Sequence, residues 1–332
     1  MSGIPVIDVR ALRDGSAPEP VARAIDDACR DTGFFCITGH GVDRALRDRL
    51  DALAREFFAL DDAEKAQIAM ARGGRAWRGW FPVGGELTSG QPDLKEGIYF
   101  GQELAPDDPR VRAGRPMHGP NLFPARPAGL RDAVLEYLEQ VTALGQDLLR
   151  GIAVGLGLDE RWFAQNLTGD PLVLFRIFHY PPVPPGAPGW GVAEHTDYGL
   201  VTVLGQDSSG GLEVRGASGW LSVPADPDAF VVNIGDMLER MTGGVYRSTP
   251  HRVRNVSGHD RLSFPLFVDP SWDAEVRPLP MDRAPRPVDP ASRWDGADVL
   301  AWSGTYGDYL LAKVGRVFPG LRDEVLGVDA PP

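Results

Sequence analysis

Two spaced pairs and one further histidine carry the chemistry of this chain. His195 and Asp197 stand two residues apart in Glu194-His195-Thr196-Asp197-Tyr198-Gly199. In an extended strand, residues i and i+2 share a face, so an imidazole and a carboxylate at this spacing can reach one ion. A third ligand must come from elsewhere. His251 is the best placed, because it opens the β-like run His251-Arg252-Val253-Arg254 after Ser248-Thr249-Pro250. Two neutral imidazoles and one carboxylate bind a divalent ion without filling its coordination shell, a set that suits non-haem Fe(II) oxygen chemistry. The second pair, Arg261 and Ser263, again shares a face. A guanidinium offers a planar fork to a carboxylate, and a neighbouring hydroxyl adds one donor. The remaining histidines, His40, His118, His179 and His259, read as hydrogen-bonded loop or core residues.

The elements that must position these side chains follow from hydrophobic period. From residue 172 onward, short β-rich runs recur at 172–180, 200–204, 212–214, 220–223, 230–234, 251–256 and 262–268, separated by Gly, Pro, Asp and Ser. Many short strands with such turns predict a sandwich or barrel of the jelly-roll kind. Ahead of them, residues 4–9 and 34–38 read as strands and residues 20–30 as a helix. Residues 43–59 form an amphipathic helix with Leu46, Leu50, Leu53, Phe57 and Leu60 at helical spacing. Residues 62–71 read as a polar helix, and residues 128–156 as one long helix with an apolar stripe. Residues 72–120 are the longest irregular stretch, rich in Gly, Pro and aromatics. Long loops in compact domains are often binding loops, so this stretch is expected at a pocket mouth, with Trp77, Trp80 or Tyr99 near a substrate. Lys95-Glu96 and Arg75…Arg78 in the same stretch are open between substrate contact and solvent. Gly235-Asp236 and Gly243-Gly244 read as turns. A Pro-rich connector at 278–290 precedes helical character at 295–317.

Composition narrows the function classes. The formal net charge is −12 with no basic stripe, which argues against a nucleic-acid partner. No 18-residue apolar run appears, so no membrane span is expected. Residues 1–5 lack a basic region followed by an apolar one, so no secretory signal is expected. Only Cys29 and Cys36 are present, too few for a disulfide scaffold in 332 residues, and a reducing cytoplasm fits.

Taken in order, the His195-Thr196-Asp197 and Arg261-Leu262-Ser263-Phe264 segments join Asn233-Ile234-Gly235-Asp236 and Ser248-Thr249-Pro250-His251-Arg252-Val253. Together with Ile4-Pro5-Val6-Ile7-Asp8 and Gly33-Phe34-Phe35…Gly39-His40-Gly41, the set resembles the isopenicillin N synthase-like family of 2-oxoglutarate- and iron-dependent dioxygenases over nearly the whole chain. The resemblance implies a mainly β fold with flanking helices: a distorted double-stranded β-helix, or jelly roll, at residues 170–270. Residues 1–120 would be an N-terminal region bearing the substrate loop, 121–169 a supporting helical segment, and 271–332 a connector and helix. It implies Fe(II), 2-oxoglutarate as cosubstrate and O2, with ascorbate as a candidate stimulant. His195, Asp197 and His251 would be the metal ligands, and Arg261, Ser263 and Tyr180 the cosubstrate-binding residues. Where some relatives carry an asparagine two residues before that tyrosine, this chain has Phe178, a departure in the cosubstrate site. The implied activity is oxidation of a C–H bond of a small-molecule metabolite, by hydroxylation, desaturation or cyclisation, with release of succinate and CO2. The expected state is a monomer or weak dimer. Two alternatives stay open: an Fe(II) oxidase of the same fold that draws electrons from substrate or ascorbate, and a non-catalytic metal-binding jelly roll.

Overall fold

In the computed structural model, which describes residues 3–184, 188–286 and 293–318, the chain enters as β1 (Val6–Asp8) and β2 (Phe34–Thr38), paired in parallel. Helices α1 (Arg10–Arg13) and α2 (Pro18–Asp31) make the crossover. Helix α3 (Arg44–Phe58) starts where the Asp43 carboxylate accepts the Ala45 backbone N–H at 2.9 Å, an N-cap that satisfies an otherwise unpaired donor. The polar helix expected over 62–71 is shorter: α4 (Asp62–Lys65) gives way to 3-10 turns at Ala66–Ile68 and Met70–Ala76. Ala69, extended at ψ 144°, separates the two 3-10 turns, and Gly74 at φ +51° kinks the second.

Residues 72–120 are more regular than their composition suggests. They hold β3 (Gly79–Phe81), the small hairpin β4 (Leu87–Thr88) and β5 (Gln91–Pro92), β6 (Glu96–Gly101) and the short helix α5 (Pro109–Arg112). Every residue of β6 is buried, so the polar/apolar alternation that would announce a strand is missing. Glu96 is buried with its partners, accepting from Lys65 Nζ at 2.9 Å, Trp80 Nε1 at 2.8 Å and His179 Nδ1 at 2.8 Å.

After α6 (Leu130–Gly155) and α7 (Trp162–Asn166) come the core strands β7 (Leu172–Tyr180), β8 (Val192–His195), β9 (Val201–Gln206), β10 (Leu212–Gly216), β11 (Gly219–Ser222) and β12 (Phe230–Ile234). Helix α8 (Asp236–Met241) separates these from β13 (His251–Val253) and β14 (Arg261–Asp269), and α9 (Tyr306–Val317) follows. The strands form a large sheet in the order β1-β2-β12-β9-β14-β7-β6-β3 and a smaller one in the order β11-β10-β13-β8. This is the jelly-roll core with flanking helices. Strands from residues 1–120 and from 170–270 share the large sheet, so these sequence segments are not separate layers. The connector expected at 278–290 lies in part outside the described residues. Among those described, no helix is long and apolar enough to cross a membrane.

Helix α6 lies against the large sheet. Tyr137 donates from its hydroxyl to the Phe264 carbonyl at 3.3 Å, and Gly145 lets the helix close on β14: a Cβ there would stand 2.5 Å from Val268 Cγ2. Gly145→Val is expected to lower stability by about 1–3 kcal/mol through overpacking. Urea denaturation measures this; an unchanged midpoint would show that the contact does not constrain the helix.

Candidate metal and cosubstrate site

Cross-strand pairing brings the two histidines together. Strands β8 and β13 are antiparallel neighbours with His195 directly opposite His251, and the ring centroids stand 4.2 Å apart. Asp197 is not on the strand. β8 ends at His195, and the carboxylate returns from the turn that follows, which the Asp236 N–H fastens by donating to the Asp197 carbonyl at 2.8 Å. His195 Nε2 and His251 Nε2 lie 3.9 and 3.8 Å from Asp197 Oδ1. Atoms that each sit about 2.0–2.3 Å from one ion fall naturally at such separations.

The rest of each side chain is committed so that one ligand atom remains. His195 Nδ1–H donates to the Ala193 carbonyl at 2.8 Å and His251 Nδ1–H to the Thr249 carbonyl at 3.2 Å, which fixes the tautomer and leaves both Nε2 lone pairs free. Asp197 Oδ2 accepts from Thr202 Oγ1 at 2.5 Å and Asn233 Nδ2 at 2.6 Å, leaving Oδ1 toward the imidazoles. Burial pushes His195 down, and burial with the neighbouring His195 ring pushes His251 down to about 4, so both imidazoles are neutral at physiological pH. Burial acts to raise Asp197, but at acid pH, where the rings take up protons, attraction to His251 and His195, together with the bonds from Asn233 and Thr202, outweighs it and holds Asp197 below the usual carboxylate range. Asn233→Ala should therefore weaken divalent-metal binding by about 10–100-fold, as loss of an outer hydrogen-bond partner does elsewhere. Anaerobic Fe(II) titration by calorimetry tests this, and an unchanged affinity would make the Asn233 bond incidental.

Alternate residues of the two adjoining strands β7 and β14 line a cavity of about 550 Å³ beside the triad. Arg261 is opposite Tyr180 in register, and its guanidinium lies 4.6 Å from the Tyr180 ring. Its Nε donates to the Gly210 carbonyl at 2.7 Å, while Nη1 and Nη2 are buried with no protein partner. Ser263 Oγ is 3.4 Å from the Tyr180 hydroxyl. A buried fork with two unsatisfied nitrogens beside two hydroxyls fits an incoming carboxylate. Phe178 also lines this wall, with Lys95 Nζ 4.8 Å from its ring.

The structure places the expected aromatic lining elsewhere. Trp77, Trp80 and Tyr99 are all buried, and none lines the cavity. Trp80 is tied to Glu96, Trp77 packs on Phe318, and Tyr99 lies behind Arg176, its hydroxyl donating to Glu86. Their stretch contributes Glu86 to Gly90 and Lys95 instead. Gly235-Asp236 is also more than a turn: Asp236 is fully buried, paired with Arg293 at 3.1 Å and accepting from the Tyr309 hydroxyl at 2.8 Å. That pairing draws Trp294 over the His-x-Asp turn, where its Nε1 lies 3.4 Å from Thr196 Oγ1. Helix α9, begun by a Thr305–Asp308 capping box, adds Leu310, Lys313 and Val317 from one face. Sequence spacing announces none of Thr202, Glu86, Arg176 or Lys313; Lys95, open between substrate contact and solvent, lines the cavity, whereas Glu96 beside it is tied to Lys65, Trp80 and His179. Asn233 stands in a quoted motif without an assigned task.

Known proteins align with this whole arrangement. The family model described as "2OG-Fe(II) oxygenase superfamily" matches residues 171–270, and that described as "non-haem dioxygenase in morphine synthesis N-terminal" matches residues 4–126. The chain is 44% identical to a Dictyostelium discoideum protein named "probable iron/ascorbate oxidoreductase", covering 97% of each chain. It is 35% identical to a 1-aminocyclopropane-1-carboxylate oxidase of Dictyostelium mucoroides, covering 95% of each. The crystal structure of a full-length Neurospora crassa protein in complex with alpha-KG and thymine superposes with a TM-score of 0.77 at 25% identity, covering 94% of this chain and 96% of that one.

Proposed function

Because the chain belongs to the 2OG-Fe(II) oxygenase superfamily and is an oxidoreductase dependent on Fe(II) and 2-oxoglutarate, we propose that His195, Asp197 and His251 ligate the iron and that Arg261, Ser263 and Tyr180 bind the cosubstrate. The observation that carries this assignment is a converged set of three free ligand atoms beside a buried guanidinium with two unpartnered nitrogens.

Iron, 2-oxoglutarate and O2 together supply the oxidant for a C–H bond of a small-molecule metabolite, leaving succinate and CO2. The chain's own residues bind and orient. Arg261, held flat by Tyr180 and by the Gly210 carbonyl, presents Nη1 and Nη2 to the distal carboxylate, and the hydroxyls of Ser263 and Tyr180 add donors. The carbonyls of Ala193 and Thr249 aim the imidazoles, and Asn233 and Thr202 aim Asp197. The apolar wall of Phe34, Leu204 and Val253 excludes bulk water from the reacting centre. Cys29 and Cys36 are buried and unpaired. This suits a reducing compartment, and we place the enzyme in the cytoplasm as a monomer or weak dimer.

Succinate formed per product is the test. One succinate per oxidised substrate is expected. Full turnover without 2-oxoglutarate, and with no succinate, would replace this reading by an oxidase that takes electrons from substrate or ascorbate, the reading that the likeness to a protein named "probable iron/ascorbate oxidoreductase" favours.

A further inference from the structure

Arg176 stands four residues before Tyr180 on the same face of β7, so it lies about 13 Å along the strand from the Arg261 register. One cavity wall thus carries two guanidiniums at different depths, and the cosubstrate reading uses only one. The Arg176 guanidinium is clamped between the rings of Tyr99, at 4.1 Å, and Phe267, at 4.9 Å. Its Nε is buried without a hydrogen-bond partner. Its ion-pair partner, Glu86, is 3.7 Å away, beyond hydrogen-bond range. Glu86 is also engaged by Lys95 Nζ at 2.7 Å and by the Tyr99 hydroxyl. Lys95 in turn is shared with Asp93, so one ammonium serves two carboxylates, and Arg176, 3.7 Å from Glu86, supplies the second positive charge of the group. Arg316 of α9 adds a further positive charge to the lining, while Leu174, Phe267, Leu310 and Val317 make the surrounding wall apolar.

We propose that the substrate is a carboxylic acid whose carboxylate is bound by Arg176 and whose hydrocarbon body lies along Leu174, Phe267 and Leu310. A guanidinium held flat between two rings is pre-arranged to donate as a planar fork, and a carboxylate is its geometric complement. Glu86 balances its charge from 3.7 Å without hydrogen-bonding it, and the unsatisfied buried Nε–H remains costly. The proposal rests on the assignment of Arg261 to 2-oxoglutarate, which leaves Arg176 for a second anion.

Enzyme loaded with Fe(II) and 2-oxoglutarate under argon, where turnover cannot occur, is titrated with straight-chain, branched and aromatic monocarboxylic acids and α-amino acids, each beside its primary amide. Calorimetry reads the binding. At least one acid is expected to bind, with its amide at least about tenfold weaker. Arg176→Gln should erase that discrimination and Arg176→Lys restore part of it, with 2-oxoglutarate affinity read in the same titration as the control. The proposal is overturned if no acid binds, if amides bind as tightly as acids, or if Arg176→Gln retains the preference. Should Arg176→Gln fail to fold, the acid–amide comparison on the wild-type enzyme decides alone. Failure of the cosubstrate assignment is separately visible, as absent 2-oxoglutarate binding before any acid is added.

Discussion

Asp197→Ala is expected to abolish turnover and to reduce iron affinity by at least about 100-fold, beyond what loss of an outer partner causes. Both imidazoles are neutral near physiological pH, because burial pushes them down, so Asp197 supplies the only negative charge among the three ligands. Its removal also strands two buried donors, the Asn233 amide and the Thr202 hydroxyl, each of which now serves Oδ2. Leaving buried donors unpaired costs about 1–3 kcal/mol apiece, so some loss of stability should accompany the loss of metal. Asp197→Asn separates the two effects. It retains an acceptor oxygen for Thr202 and Asn233 but no charge, and should preserve most stability while still losing iron. Iron content after desalting, succinate formation and the thermal midpoint are the three measurements. An alanine variant that kept stoichiometric iron and normal turnover would remove Asp197 from the metal site.

The triad is legible in the sequence because its chemistry is local: an imidazole and a carboxylate two apart, and a histidine opening a β-run. Strand pleat, however, accounts for only part of the first pair. β8 stops at His195, and Asp197 comes back toward the two imidazoles from a turn, so the shared approach depends on the Asp236 N–H and on Thr202 and Asn233. Those two neutral side chains belong to β9 and β12 of the large sheet, and their task exists only once the two sheets face each other. The buried charges are illegible for the same reason. Glu86, Lys95 and Arg176 are separated along the chain: the first and last stand in no site motif, and Lys95 alone leaves substrate contact and solvent open. The aromatic stretch misleads through composition: Trp80 and Tyr99 are buried and commit their polar atoms to Glu96 and Glu86, whereas Glu86 itself and the hairpin that follows it face the cavity. The helical stripes and the core strands are plain in the sequence, since burial on one face leaves a period that a fully buried strand such as β6 does not.

Arg261→Ala is expected to raise the 2-oxoglutarate requirement by about 10–100-fold while leaving iron binding largely intact. A charge-assisted pair of this kind contributes roughly 1.5–3 kcal/mol, which sets that range. The structure adds a reason for the specificity of arginine here. Nε is committed to the Gly210 carbonyl at 2.7 Å and the guanidinium lies against Tyr180, so only Nη1 and Nη2 remain, as a fork toward the cavity. Lysine can supply the charge, but it cannot both serve Gly210 and present a planar pair, so Arg261→Lys should recover only part of the affinity. Ser263→Ala removes one donor beside the fork and should cost less than either change, because a neutral hydroxyl contributes about 0.5–1.5 kcal/mol. Iron held by the proposed triad would not reach this end of the cavity: the three candidate ligand atoms belong to β8, its following turn and β13, whereas Arg261 and Ser263 lie on β14 of the other sheet. The decisive experiment is a 2-oxoglutarate titration of succinate formation at saturating Fe(II), with metal affinity measured in parallel on each variant. Equal 2-oxoglutarate requirements for wild type and Arg261→Ala would move the cosubstrate's distal carboxylate elsewhere, and the remaining guanidinium on that wall, Arg176, would become the place to seek it.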